Sequence, residues 1–123
     1  MDLSAQSGQL DSLSNDDARK IIKRALNVLS SGKSKLELHE YSNGEVCITL
    51  HHGEVAGVIV RTAYGKEFIW FFKSCAALLK VLLKHDNYIQ HWNASSCTYD
   101  AIDFTKTFGS TLEEARIKLD LAE

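Results

Sequence analysis

The sequence predicts an α+β domain with helices mainly on one face of a four-stranded antiparallel meander. Three observations predict it. Residues 35–72 alternate apolar and polar side chains between three glycine-containing turn signals. An apolar stripe at helical spacing precedes that stretch, and another follows it. No βαβ alternation, internal repeat or long linker interrupts the pattern. The domain is expected over residues 14–123, preceded by a flexible tail, 1–13, that is rich in Ser, Gln, Gly and Asp.

The first helix begins near Ser14 or Asn15, with Asp16 and Asp17 in the first turn, where the helix dipole favours negative charge. Ala18, Ile21, Ile22, Ala25, Leu26 and Leu29 form its buried stripe, and Ser30-Ser31-Gly32 ends it. Arg19, Lys20, Lys23 and Arg24 lie on the other side. They read first as a solvated face and second as a patch for phosphates or an acidic partner; no aromatic residues are interleaved with them.

In the meander, Ser42-Asn43-Gly44 suits a three-residue loop that sets His39 opposite Cys47 and Leu38 opposite Ile48. A two-residue Asn43-Gly44 loop would mix apolar and polar side chains on both faces, because a one-residue slip inverts a strand. By the same logic His52-Gly53-Glu54 sets Leu50 opposite Ala56. Ala63-Tyr64-Gly65 sets Val60 opposite Phe68, Val58 opposite Trp70, and Arg61 opposite Glu67 as an ion pair. These registers predict one helix-covered face of Leu36, Leu38, Val46, Ile48, Leu50, Ala56, Val58, Val60, Phe68, Trp70 and Phe72. On the second face Val55, Ile59, Ile69 and Phe71 need partial cover, and Gly57 sits opposite Phe71 so that the ring can cross bare backbone.

Ser74 caps the next helix, whose stripe is Cys75, Leu78, Leu79 and Leu82. The helix either stops at residues 85–87 or continues through Tyr88, Ile89 and Trp92; the pattern accommodates both. Residues 93–96 read as a loop and 97–107 as a fifth strand. Ser110 with Glu113 forms a capping box for a last helix built on Leu112, Ala115 and Leu119.

Composition narrows the function classes. Hydrophobic residues make up 45% of the chain, enough for one core, and the net charge of −2 exerts no global attraction to nucleic acid. Cys47, Cys75 and Cys97 form no C-x-x-C pair, and no secretion signal is recognised. A reducing, cytoplasmic location is therefore expected, and the Asn93-Ala94-Ser95 sequon reads as chance. No apolar run is long enough to cross a bilayer, so no membrane partner is expected.

Chemistry-bearing constellations are sparse. His39 beside Cys47 could serve as base and nucleophile or as two zinc ligands, but an open strand surface supplies no cleft. His51 and His52 point to opposite faces if extended, and Gly53, Gly57 and Gly65 form no phosphate loop. Phe68, Trp70 and Phe72 could stack bases, but their predicted face makes them core. The expectation is a non-enzymatic protein without cofactor or metal. Ile59, Arg61, Ile69 and Phe71 form its candidate partner-binding patch.

In its order of helix, sheet and helix, the chain resembles the type III secretion chaperones, although it lacks the strong acidity common in that group. The resemblance implies a small dimer that binds an effector protein. The functional expectation is a homodimeric regulator of a protein partner. The alternatives are effector binding of the chaperone kind and nucleic-acid binding through Arg19, Lys20, Lys23 and Arg24.

Overall fold

A computed structural model describes residues 12–30, 35–50, 54–93 and 97–121. Its elements in chain order are α1 (Asn15–Leu29), β1 (Glu37–Glu40), β2 (Val46–Thr49), β3 (Val55–Thr62) and β4 (Gly65–Ile69). They are followed by α2 (Cys75–Leu82), β5 (Tyr88–Asn93), β6 (Thr98–Asp103), α3 (Phe104–Phe108) and α4 (Leu112–Lys118). The class is α+β, as expected, with two more strands than the meander alone.

Helix α1 starts as its sequence requires. The Ser14 hydroxyl accepts a bond from the Asp17 amide (3.1 Å), which satisfies one of the first-turn donors. Ala18, Ile21, Ile22, Ala25 and Leu26 are buried as one stripe. At the other end the Ser30 hydroxyl donates to Leu26 O (2.6 Å) and accepts from the Leu36 amide (2.9 Å), which docks the start of the sheet on the helix end. The predicted Ser31-Gly32 terminus lies outside the described residues, as do most of the predicted tail and the 51–53 turn. Ser74 caps α2 through the Ala77 amide (3.1 Å), and Cys75, Leu78, Leu79 and Leu82 are buried as expected.

Strand β3 is the hub of the sheet. Both β4 and β5 pair with Val58 and Ile59, so they occupy opposite edges of β3. Strand β2 pairs with β3 at Val55 and Ala56, and a bridge between Val46 and Phe72 ties β2 to the chain leaving β4. The outer order is β1-β2-β3-β5-β6. One core fills the space between the inner face of this sheet and the helices. It includes Ile21, Ile22, Val46, Ile48, Val58, Leu78, Leu79, Ile89, Phe104 and Leu119. Each large side chain buried there contributes about 1.5–3 kcal/mol relative to an exposed one.

Register agrees with expectation in the first hairpin and departs from it in the two strand pairings that follow. Between β1 and β2, Leu38 faces Ile48 and His39 faces Cys47. Between β2 and β3, Ile48 faces Ala56, two residues from the expected pairing; an even shift preserves the faces. Between β3 and β4, Val58 faces Ile69, Ile59 faces Phe68 and Arg61 faces Lys66. That is a one-residue slip, produced by a two-residue turn at Ala63-Tyr64. Ile69 therefore packs against the core, while Phe68 and Trp70 are 42% and 45% exposed rather than buried. The expected Arg61–Glu67 pair is replaced by Arg61–Asp86 at 2.9 Å.

The C-terminal third differs in three places. The chain leaves α2 through Asp86 in the left-handed region (φ 63°), and Tyr88 opens strand β5 rather than extending the helix. Asn87, only 2% exposed, explains the stop. Its Oδ1 accepts from the Arg61 amide (2.9 Å) and its Nδ2 donates to Val81 O (2.8 Å), so helix end and hub strand share one side chain. The predicted strand at 97–107 ends at Asp103, whose carboxylate caps α3 by accepting from the Lys106 amide (3.2 Å). Thr111, not Ser110, caps α4, accepting from the Glu114 amide (3.1 Å).

Candidate functional site

The outer face of the sheet, turned away from the helices, carries the most unusual surface of the molecule. An extended strand alternates its side chains, so Lys66 and Phe68 of β4 share this face with Ile59, Arg61 and Gly57 of β3 and Tyr88 of β5. Ile69 and Phe72 both point inward, three residues apart, so the alternation breaks once between them. The break leaves both Trp70 and Phe71 exposed, at 45% and 48%. Tyr41 adds a fourth half-exposed ring at 42%. Large apolar side chains clustered on a solvent-facing surface are a marker of contact sites.

The rings form two pairs. Phe68 and Trp70 stack with centroids 5.2 Å apart and planes 15° from parallel. Both lean over Gly57, where an added Cβ would lie 2.6 Å from Phe68 Cε1 and 3.0 Å from Trp70 Cζ3. The absence of a side chain at Gly57 therefore lets the stack lie low on the strand. Tyr41 and Phe71 make the second pair, with centroids at 5.9 Å and a 60° tilt, and His39 meets the Tyr41 ring edge-on at 4.5 Å. Beneath this pair Cys47 is fully buried, and its thiol donates to the Tyr41 hydroxyl at 3.8 Å. Interaction with the Cys47 sulfur first, and desolvation second, hold the Tyr41 phenol above its ordinary value.

The four residues expected to form one patch are divided. Ile59, Arg61 and Phe71 lie on the outer face, while Ile69 faces the core. Arg61 extends into solvent beside Asp86. The rings that dominate the surface, Phe68 and Trp70, belong to the set expected in the core. Their placement follows from the Thr62 hydroxyl, which donates to Gly65 O (2.8 Å) and accepts from the Tyr64 amide (3.3 Å) and so closes a tighter turn that the residue string does not signal.

His39 and Cys47 are neighbours in register, but the thiol contacts tyrosine and not imidazole. Among the described residues, no three His, Cys, Asp or Glu side chains gather as metal ligands. His51 and His52 lie outside the described residues. Cys75 is buried in the core, and desolvation raises its thiol above the ordinary value.

The cations of α1 differ in their partners. Arg19 binds Glu40 and Asp16, each at 2.6 Å. The bond to Glu40 first, and that to Asp16 second, raise the guanidinium, and the Arg19 bond holds the Glu40 carboxyl below its ordinary value. Arg24 Nε donates to Leu119 O (3.3 Å), joining α1 to the end of α4. Lys20 and Lys23 remain exposed. Lys23 stands at the mouth of a shallow groove of about 280 Å³, whose walls include Leu26, Ser30, Lys35, Leu36 and Leu38. No helix among the described residues is long and apolar enough to cross a membrane.

Comparison of the chain with protein-family models, with curated proteins and with solved structures returned no match.

Proposed function

We propose that this chain is a small non-enzymatic binding protein that regulates a protein partner, that it works as a homodimer, and that the Tyr41–Phe71 half of the outer sheet face is its contact surface. The observation that carries the reading is the pair of half-exposed rings Tyr41 and Phe71, whose centroids lie 5.9 Å apart on that open face. Aromatic side chains supply large contact area at low entropic cost and are enriched where proteins meet. The absence of catalysis in this reading is supported by Cys47, which is enclosed and bonded to Tyr41 rather than to a base. A cytoplasmic location fits the buried thiols Cys47 and Cys75. Effector binding of the secretion-chaperone kind would use the same face. Nucleic-acid binding through α1 is the weaker alternative, because Arg19 and Arg24 are already engaged by protein groups.

Sedimentation equilibrium tests the dimer. The wild-type chain should show twice its 13.8 kDa mass, and the double variant Tyr41→Ala/Phe71→Ala should shift towards one chain mass. A wild type of single mass at every concentration examined, or a double variant that dimerises as tightly as wild type, would overturn the homodimer built on this face.

A further inference from the structure

We infer that the β4 half of the outer face is a binding site for single-stranded nucleic acid, separate from the protein contact proposed for the Tyr41–Phe71 half. The placement of residues carries the inference. Across the hub, Lys66 lies beside Arg61, and Phe68 lies beside Ile59, which lies beside Tyr88; the Trp70 ring reaches Gly57 one step further along. Two cations thus stand at one end of a row of rings on a flat, open sheet. That is the interleaving of charge and aromatic surface that the basic side of α1 lacks.

The geometry suits bases stacked with their backbone alongside. Phe68 and Trp70 are 15° from parallel, so a base can extend their stack, and any base has a π face to offer. Lys66 Nζ sits 5.5 Å from the Tyr88 ring centroid and takes part in no ion pair among the described residues. It is therefore a cation placed beside aromatic surface and not neutralised by a carboxylate.

The nearby acids are turned elsewhere. Asp103 is in register with Tyr88, yet its carboxylate accepts from the Lys106 amide (3.2 Å) and the Thr105 hydroxyl (3.0 Å) at the start of α3. Glu67 faces Val60 in register and so belongs to the opposite strand parity. Asp86 holds Arg61, but both side chains are largely exposed, and a phosphate can compete for the guanidinium. Glu45, the acid nearest the other ring pair, accepts from Asn43 Nδ2 (2.8 Å). The β4 half thus offers a polyanion Lys66, which has no ion pair among the described residues, and Arg61, whose exposed partner Asp86 a phosphate can displace.

Fluorescence anisotropy with a labelled mixed-sequence oligonucleotide, supplied in separate arms as single-stranded DNA, single-stranded RNA and duplex, tests the site on the full chain. Either single strand should bind more tightly than the duplex at low salt and weaken as salt rises. Trp70→Ala should weaken binding roughly ten-fold, in keeping with the loss of one stacking ring. Lys66→Glu should weaken it as well and flatten the salt dependence. Lys20→Glu/Arg24→Glu should bind as wild type, which assigns the contact to the sheet rather than to α1. Tyr41→Ala/Phe71→Ala should also retain oligonucleotide affinity, so the protein contact and the nucleic-acid site fail independently. If Trp70→Ala loses its circular dichroism signature, Lys66→Glu, an exposed substitution, carries the test alone. No binding of either single strand at low salt overturns the inference. So does wild-type affinity in Lys66→Glu and in a folded Trp70→Ala.

Discussion

The hairpins β1–β2 and β3–β4 are built from similar materials, and only one could be read from its residues. The first turns through Ser42-Asn43-Gly44. Asn43 Oδ1 accepts from the Glu45 amide (3.0 Å), Gly44 takes φ 91°, and the Gly44 amide closes on Tyr41 O (3.0 Å). Each residue there does what its chemistry favours. The second turns through Ala63-Tyr64, which carry no turn signal, and is closed by the side chain of Thr62. Alternation could have corrected the error in the strand that follows, but residues 68–72 read Phe-Ile-Trp-Phe-Phe, five apolar side chains in succession. A run without polar residues has no parity, and both registers satisfy it equally. When strand pattern and turn chemistry are both silent, packing decides. Here packing chose the compact Ile69 for the inside and left Phe68 and Trp70 out.

That comparison can be broken most forcefully at β4. Ile69→Lys places a charge against the core and should cost about 3 kcal/mol or more in urea unfolding. Phe68→Lys, one residue away on the open face, should cost only about 1 kcal/mol in lost stacking. Equal costs, or the reverse order, would mean that the slip is not real.

The turns themselves sharpen it. Thr62→Val removes the hydroxyl that bridges Gly65 O and the Tyr64 amide, and Asn43→Ala removes the side chain that accepts from Glu45. Each should lower stability by about 1 kcal/mol, the net worth of an ordinary hydrogen bond, although only one of them announces itself in the residue string. A neutral Thr62→Val would show that the second hairpin holds its register by strand packing alone.

The smallest effect belongs to the end of β1. Arg19 holds the Glu40 carboxyl below its ordinary value, so the folded state releases that proton more readily than the unfolded chain does. The stability this adds is complete above the unfolded carboxylate value and disappears as pH falls through the folded one. Glu40→Gln should therefore lower the thermal midpoint slightly at neutral pH and match wild type in acid. A constant gap between the two proteins across the whole acid range would contradict the assignment. The pair is surface-exposed, and salt should shrink the gap further.

Legibility followed local completeness elsewhere too. The stripes of α1 and α2 were readable because period and cap agree, from Ser14 through Leu26 and from Ser74 through Leu82. Strand β5 was not, because Asn87 ends the helix through bonds to Arg61 and Val81, and a tertiary bond leaves no trace in local spacing. The candidate surface was half legible. Ile59, Arg61 and Phe71 were placed on the outer face by alternation, whereas Phe68 and Trp70 depended on the register of a silent turn.

The central position of β3 has a kinetic consequence. Three strands claim its two edges, so its amide protons should be among the last in the sheet to exchange with heavy water. Strands β1, β4 and β6, each with a neighbour on one side only among the described residues, should release theirs first. The Phe68–Trp70 stack leans over Gly57 at that slow centre, but it is carried by β4, a strand at the margin. A ligand captured there meets a rigid floor in β3, and the conformational freedom surrendered on binding is that of β4.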